Sequence, residues 1–356
     1  EQPWADALAV RGDRIVAVGA NADIAPLIGP TTEQIDAPPG MVVPGFIDSH
    51  VHFLDGGFSL ASVQLRYAST PEEFTRRIGD YAKTLAAGEW ITNGDWDHEN
   101  WGGELPRRDW IDSLTPDNPV VINRLDGHMV LANSSALKLA GVSADTVDVP
   151  GGEIVRNGQG NPTGVLKDNA MELVYRVMPE PSEAQLDRAL GAISEHVAAQ
   201  GVTSVQDMAG WQSLATYRRA HAAGTLNPRV YSVVPLSDWE RLAQEVGADG
   251  RGDEWLRIGG LKGFMDGSLG SHTAAFFEPF TDTPGDRGFF INDLADMDRW
   301  IRGADAAGLQ IMVHAIGDRA ISALLDIQAD VVAAHGARDR RFRIEHAQHI
   351  HPDDIA

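Results

Sequence analysis

The second half of the chain alternates between apolar strand-like runs and amphipathic helices, and this alternation restricts the fold more than any other feature. A helix is predicted to begin after Ser182, whose capping box with Gln185 precedes a regularly spaced apolar stripe, and to stop at Gly201. The run VTSVQDM follows at once, and the alternation continues through RVYSVV, RIGGLKGFM, LQIMVHAIGD and RFRIEHAQ. Strands separated by helices pair in parallel, which predicts an α/β fold. A closed barrel and an open doubly wound sheet fit this pattern about equally well.

Six strands of the main sheet are predicted from this alternation and from one earlier apolar run. They start at Val42, Val202, Val230, Ile258, Gln310 and Phe342. The chain opens with a predicted β-hairpin that turns at Gly12. Between about 70 and 180 the pattern changes to one capped helix and short strand-like pieces broken by Gly, Pro and Asn-Gly, which predicts a β-rich insertion.

The first strand ends in two histidines one residue apart, His50 and His52, in VVPGFIDSHVH. Strand alternation places such residues on one face, close enough to share a metal ion. An isolated His-x-His is about as often a pair of unrelated polar residues, so the other strands decide. Lys262 lies in the strand of LKGFMDGSLGSHTA, and His314 and His346 close IMVH and RIEH. Because the carboxyl ends of barrel strands share one face, these five side chains are expected to meet.

The composition excludes several classes of function. The chain has 356 residues, 43% of them hydrophobic, and a formal net charge of -22. A nucleic acid or an anionic membrane surface is therefore not expected as a partner, because phosphate binding requires clustered Lys and Arg. The chain contains no Cys, so a transition metal would have to be bound by His and carboxylate side chains.

Several motifs together resemble one known family. PGFIDSHVH, GVTSVQDM, LKGFMDGSLGS, HAIGDRAI and RIEHAQ occur in the order found in the amidohydrolase superfamily, and RLDGHMVLANSSAL and GGEIVRNGQGNPTGVL resemble the insertion of one branch. This branch is amidohydrolase family 3, the YtcJ-like metal-dependent hydrolases related to N-substituted formamide deformylases. The resemblance implies a TIM-like (β/α)8 barrel, a small β-sandwich built from both chain ends, and a centre of one or two zinc ions.

The resemblance also assigns roles to individual residues. His50 and His52 match the first-strand ligands of the more buried metal, and His314 and His346 match ligands of the second metal. Lys262 matches a lysine that relatives carry as a carbamate bridging both metals. An unmodified lysine is a cation without a lone pair, so only deprotonation or carboxylation makes it a ligand.

Further polar residues lie near these candidates. By resemblance, Asp126 and His128 of the insertion face the mouth of the site, where His128 is expected to hydrogen-bond a substrate carbonyl. A turn-stabilising aspartate and a solvated histidine are the alternative. Glu345 is expected to point away from the face of His346 if the strand is regular, which gives it a structural role.

The resemblance also implies parts of the protein that this sequence does not contain. The family's general acid/base aspartate follows the eighth barrel strand, whereas Asp353 and Asp354 lie too close to His346 to be that residue. We expect residues 1–41 to form part of the β-sandwich. Residues 42–356 are expected to form a barrel that lacks its C-terminal part, including two strands.

The expected function is a metal-dependent hydrolase that cleaves an amide-like, non-peptide carbon-nitrogen bond in a small molecule. An ester or carbamate would satisfy the same geometry, and a noncatalytic amidohydrolase-like scaffold is the alternative from another class. A nucleotide-binding sheet is not favoured, since FLDGGF after the first strand lacks a glycine-rich phosphate loop. The cytoplasm is the expected compartment, and the presence of an upstream targeting segment is left open. A homodimer is also left open.

Overall fold

The computed structural model describes residues 4–37 and 40–355 and divides the chain into two compact units, Glu1–Pro44 and Gly45–Ala356. The expected first-domain range of 1–41 includes residues 1–3 and 38–39, which lie outside the described residues. Residue 356, at the end of the expected barrel range, lies outside them too.

The first unit contains the predicted hairpin. Strands β1 (Ala7–Arg11) and β2 (Arg14–Gly19) pair antiparallel, and Gly12 in their turn has a φ of 62°, a conformation that glycine adopts without strain. A short helix, α1 (Asn21–Ile24), follows. The β-sandwich to which this hairpin was expected to belong stays a prediction.

The second unit contains two sheets and the longer helices. In chain order its strands are β3 (Phe46–Val51), β4 (Ile91–Thr92), β5 (Val120–Asn123), β6 (Met129–Ala132), β7 (Gly152–Arg156), β8 (Pro162–Asp168), β9 (Val202–Met208), β10 (Arg229–Pro235), β11 (Leu256–Phe264), β12 (Gln310–Ala315) and β13 (Arg343–His346). Its α-helices are α2 (Phe53–Ala61), α3 (Pro71–Ala82), α4 (Ser134–Leu139), α5 (Glu172–Tyr175), α6 (Glu183–Ala199), α7 (Trp211–Ala222), α8 (Trp239–Asp249), α9 (Leu294–Ala306) and α10 (Asp318–His335).

The main sheet is parallel throughout, with the strand order β13-β12-β11-β10-β9-β3. The six predicted strands are confirmed, but the first begins at Phe46 and not at Val42. Pro44 and Gly45 immediately precede it; proline cannot donate a ladder hydrogen bond and glycine weakens a strand.

The main sheet curls towards a barrel. Arg343 on β13 donates a hydrogen bond of 2.9 Å to the carbonyl oxygen of Ser49 on β3, so the two edge strands approach each other. Within the described ranges these two strands do not pair, and closure into eight strands stays a prediction.

The outer face of the main sheet is covered by helices whose apolar stripes the sequence predicts. Helix α6 begins with the predicted capping box, in which Gln185 accepts the backbone N–H of Ser182 at 2.9 Å. Its Leu186, Leu190 and Ile193 are buried in the largest core cluster. Each such side chain contributes about 1.5–3 kcal/mol on burial, so packing against the sheet stabilises this helix more than its cap does.

The expected insertion contains a second, mainly antiparallel sheet of order β4-β5-β6-β8-β7. Helix α3 precedes it, and Thr70 caps that helix by accepting the backbone N–H of Glu73 at 3.1 Å. Trp96 is fully buried beneath this sheet and donates its indole N–H to the carbonyl of Ile122. The indole is therefore part of the insertion's core and does not line a pocket.

A buried carboxyl group attaches α2 to the main sheet. Asp207 on β9 accepts the backbone N–H of Phe53, the first residue of α2, at 2.7 Å and the hydroxyl of Tyr217 at 2.5 Å. Burial raises the pKa of Asp207 to about 7, although both hydrogen bonds oppose the rise. Asp207 therefore fixes the chain immediately after His52.

The raised pKa makes stability depend on pH. A carboxyl group whose pKa is higher in the folded than in the unfolded state stabilises the fold below the unfolded value, near 4, and this contribution is lost as pH rises through about 7. From pH 5 to pH 8, the free energy of unfolding of the wild type should fall by about 2–3 kcal/mol more than that of Asp207→Asn.

Urea unfolding at a series of pH values, at matched metal content, tests this expectation. Asp339→Asn is the control, because the hydrogen bond and the charge of Arg341 lower the pKa of that exposed carboxyl. The free energy of unfolding of this control variant should depend on pH between 5 and 8 as that of the wild type does. Parallel slopes for the wild type and Asp207→Asn would contradict the expectation.

Candidate functional site

Imidazole rings from three main-sheet strands and the insertion meet at the carboxyl end of the sheet. The ring centroids of His50 and His346 lie 5.0 Å apart, those of His314 and His346 lie 4.5 Å apart, and those of His128 and His314 lie 4.8 Å apart. His52 follows β3 directly, with its ring centroid 5.9 Å from that of His50 and its side chain 51% exposed. The four strand-end histidines and His128 thus form one continuous cluster.

Lys262 lies beneath this cluster. Its residue is 5% exposed, and its Nζ lies 4.7 Å from the ring centroid of Phe264. Burial lowers the pKa of Lys262 to about 8, against the opposing charge of Glu345. A fraction of the amine is therefore neutral near pH 7, and only a neutral amine has the lone pair needed to bind a metal or react with carbon dioxide.

The cluster favours neutral imidazoles. Burial lowers the pKa of His314 well below its usual value, and neighbouring positive charges act in the same direction. Partial burial and the charge of Lys262 lower the pKa of His52 and of His346 to about 4. At pH 7 these three rings carry a free lone pair, the form in which histidine binds metals.

Two of the four strand-end histidines have one ring nitrogen hydrogen-bonded to the protein. Nδ1 of His50 lies 2.5 Å from a carboxylate oxygen of Glu345, and Nε2 of His314 lies 2.8 Å from the carbonyl oxygen of Gly267. Both partners are acceptors, so each ring donates that N–H and keeps its lone pair on the other nitrogen. Metal-binding histidines are usually oriented in this way.

The imidazole nitrogens suit a metal ion by their chemistry, but the described side chains do not have the arrangement of a complete metal site. Within residues 4–37 and 40–355, no three or more His, Asp or Glu side chains are arranged to hold a metal ion.

The expectation that Glu345 points away from the face of His346 assumed a regular strand, and the strand is not regular at His346. The carboxylate of Glu345 contacts His50 and also pairs with Arg343 at 2.8 Å. The strand is irregular here, because His346 has a φ of 72° and Ala347 a φ of 44°, so strict alternation fails. Although burial opposes ionisation, the hydrogen bond from His50 and the charge of Arg343 hold the pKa of Glu345 below its usual value.

Asp266 joins the loop after β11 to the end of β12. Its carboxylate accepts the backbone N–H groups of Ala275 at 2.8 Å, Ile316 at 3.0 Å and Gly317 at 2.8 Å. It is fully buried. Three hydrogen bonds to one carboxylate therefore fix the loop after β11 to the residues that directly follow His314 and β12.

The insertion is attached to the same loop through Asp126. This carboxylate accepts the hydroxyls of Ser268 at 2.5 Å and Ser271 at 3.2 Å and pairs with Arg124 at 2.6 Å. Burial opposes ionisation, but the charge of Arg124 and the hydrogen bond from Ser268 lower the pKa of Asp126. The turn between β5 and β6 is thereby held over the cluster with His128, which is 8% exposed and not a solvated surface residue.

Removing this attachment should loosen the loop. We expect Asp126→Ala to lower the free energy of unfolding by about 2–3 kcal/mol, less than for a fully broken buried ion pair, because Arg124 still contacts Asp97 at 2.8 Å. Hydrogen exchange at residues 266–273 should become faster. Asp109→Ala, which removes an exposed partner of Arg107, should change stability by about 0.5 kcal/mol or less. Unchanged exchange in Asp126→Ala would contradict the proposed attachment.

Fold and site together define an α/β protein with histidines and a lysine gathered at the carboxyl ends of parallel strands. The amidohydrolase family model matches residues 33–356, and the chain belongs to this family. The family resemblance expected from the motifs is confirmed.

Individual relatives agree with this assignment. Over 98% of its length the chain is 42% identical to Protein LONG AFTER FAR-RED 3 of Arabidopsis thaliana, covering 62% of that protein. It is 30% identical to the putative amidohydrolase YtcJ of Bacillus subtilis, over 90% of the chain and 60% of the relative. It is also 30% identical to the N-substituted formamide deformylase of Arthrobacter pascens, over 96% and 65%. The chain thus spans about three fifths of the length of these curated relatives.

A solved structure has the same fold. The crystal structure of an uncharacterized metal-dependent hydrolase from Pyrococcus horikoshii matches 98% of this chain with a TM-score of 0.69 and 27% identity, and the match covers 67% of that protein.

Proposed function

We propose that this chain is the larger part of a metal-dependent hydrolase that cleaves an amide-like, non-peptide carbon-nitrogen bond in a small molecule. The observation that carries this proposal is the cluster of imidazoles around Lys262, in a chain of the amidohydrolase family. The names of the Arthrobacter deformylase and the Pyrococcus hydrolase support it.

His50, His52, His314 and His346, with a carboxylated Lys262, are the proposed ligands of one or two divalent metal ions, with zinc as the proposed metal. Imidazole nitrogen and carboxylate-like oxygen suit zinc. When bound, such a metal supplies hydroxide at neutral pH and polarises the carbonyl group under attack.

The chain's own residues would orient the ligands and the substrate. Glu345 holds His50 through Nδ1, and the Gly267 carbonyl holds His314 through Nε2, so that the other nitrogen of each ring would be available to bind a metal. His128, on the insertion, is the proposed contact to the scissile group. Protonation of the leaving nitrogen would fall to the general acid/base aspartate that the family resemblance implies.

An ester or carbamate hydrolase is the nearest alternative. A noncatalytic scaffold is a second candidate, and one observation favours it: the Arabidopsis relative at 42% identity has a name that describes no enzyme. The candidate ligands present in this chain favour catalysis over that alternative.

The test uses the full-length protein. Its metal content is measured by elemental analysis, and hydrolysis is screened with N-formyl and N-acyl amines, esters and carbamates, with and without a chelator. Chelator-sensitive cleavage of amides supports the proposal. If the protein contains stoichiometric metal but cleaves only esters or carbamates, the proposed amide bond would be wrong and the ester or carbamate alternative would replace it. Absence of both metal and hydrolysis would favour the scaffold.

Partners and location stay proposals. A small-molecule substrate, with no nucleic acid and no membrane as partner, agrees with the net charge of -22, and a homodimer is left open. Among the residues that the structure describes, no helix is long and apolar enough to cross a membrane. The cytoplasm is retained as the proposed compartment.

A further inference from the structure

The insertion places a second polar pair beside the imidazole cluster. Nδ1 of His128 lies 2.6 Å from Oδ1 of Asp168, and the backbone N–H of Asp168 donates to the carbonyl oxygen of His128 at 3.1 Å. His128 immediately precedes β6 and Asp168 ends β8, and these two strands pair antiparallel. The hydrogen-bonded ladder of the insertion therefore fixes the distance between the two side chains.

The carboxylate of Asp168 makes its hydrogen bond to His128 through one oxygen only. Its side chain is 1% exposed, and its other oxygen, Oδ2, is buried and has no hydrogen-bond partner among the described residues. A buried carboxylate oxygen without a hydrogen-bond partner destabilises the fold. The presence of Asp168 here therefore indicates a role other than stability. Within the described ranges, no hydrogen bond is found to the side chain of Asp168 other than that with His128.

The backbone at Asp168 is strained as well. Its φ of 45° and ψ of -126° lie in a region that favours glycine, yet an aspartate occupies the position. Gly267 packs against the pair so closely that a Cβ atom there would lie 2.9 Å from Oδ2. Strain of this kind persists where the surrounding structure requires a particular side chain.

The contact fixes which nitrogen of His128 carries the proton when the ring holds only one. A carboxylate only accepts hydrogen bonds, so Nδ1 of His128 carries the proton and Nε2 carries the lone pair. Nε2 has no hydrogen-bond partner among the described residues, and the ring lies 4.8 Å from that of His314. A ring in this tautomer has no N–H left for a carbonyl oxygen, which was the contact expected from the sequence.

We propose that Asp168 is a positioning residue that holds His128 with its proton on Nδ1, so that Nε2 accepts the N–H of a secondary amide substrate. This inference rests on the proposed hydrolase function. It assigns recognition of the nitrogen side of the scissile bond to the insertion, and it favours secondary amides over tertiary amides and esters, which have no N–H.

The tautomer is tested without catalysis. Nitrogen NMR of the full-length, metal-loaded protein labelled with ¹⁵N-histidine, with the His128 signals assigned by their loss in His128→Gln, should show a proton on Nδ1 alone. In Asp168→Asn the side-chain amide donates to Nδ1, and the proton should move to Nε2. Asp145→Asn, which changes an exposed carboxyl on the same insertion, should leave the signals unchanged. A wild-type ring protonated on Nε2, or on both nitrogens, overturns the inference.

Recognition is tested with a matched pair of substrates, an N-alkyl amide and its N-methylated counterpart. The ratio of their kcat/KM values should fall at least about tenfold from wild type to Asp168→Asn, the effect of losing one good hydrogen bond. Asp168→Gly, which relieves the backbone strain but removes the carboxylate, should lose the preference too. An unchanged ratio in both variants overturns the recognition role.

Metal analysis separates this inference from a metal-binding role. His128→Gln should keep the metal content of the wild type, and loss of metal would show that Nε2 is a ligand, contrary to the inference. If the wild type hydrolyses neither amide, the proposed function fails. Equilibrium binding of the two amides then tests the inference: equal affinities would overturn it, and tighter binding of the N–H amide that is lost in Asp168→Asn would support it.

Discussion

Replacing His314 with alanine is expected to abolish hydrolysis, lowering kcat/KM by at least about 10³-fold and removing bound metal. His314 is 2% exposed, its ring contacts those of His346 and His128, and its low pKa keeps the lone pair available at neutral pH. Loss of a ligand removes both the activated water and the polarised carbonyl, and several kcal/mol of transition-state stabilisation correspond to this factor.

Elemental analysis and kinetics of the full-length protein test this expectation. His314→Gln is measured in parallel, because it fills more of the buried space, and thermal unfolding separates loss of ligand from loss of fold. His196→Ala, on the exposed side of α6, is the control and should keep wild-type metal content and activity. A folded His314→Ala protein with full metal content and full activity would remove His314 from the ligand set.

Replacing Lys262 with alanine is expected to have a comparable effect that a small molecule partly reverses. The pKa of about 8 leaves roughly a tenth of the buried amine neutral at pH 7, which suffices for reaction with carbon dioxide. Without the proposed carbamate, the candidate site would lack its oxygen ligand from Lys262. Acetate or propionate should restore part of the metal content and activity of Lys262→Ala, since the truncated side chain leaves room for a carboxylate.

Lys262→Arg is the matched control for this rescue. Arginine keeps the positive charge, cannot form the carbamate and fills the space, so it should be inactive and insensitive to added acid. A carbonyl signal from ¹³C-labelled carbon dioxide in the wild type, absent from both variants, would identify the modification directly. Wild-type metal content in Lys262→Arg, or failure of every short acid to restore metal to Lys262→Ala, would argue against a bridging carbamate.

The sequence by itself determined the features that depend on residues close together along the chain. Apolar periodicity and caps such as that of Ser182 specify where helices begin, and alternation of strands and helices specifies a parallel sheet. The histidines were found because polar residues at the carboxyl ends of parallel strands converge, whichever loops connect them. The late start of β3 was missed, because the predicted start at Val42 did not take account of Pro44 and Gly45.

Only the tertiary structure decided which distant polar groups meet. Asp168 pairs with His128 across 40 residues, and Asp207 reaches the start of α2 across 154. No periodic pattern records such pairs, because they depend on strand register and on how far the sheet curls. Glu345 lies on the same face as Arg343, as alternation predicts, and the residue that leaves the regular strand conformation is His346, a local event that alternation cannot predict. Side-chain type can suggest chemistry from sequence, but the partner of each buried charge is set by the free energy of the whole fold.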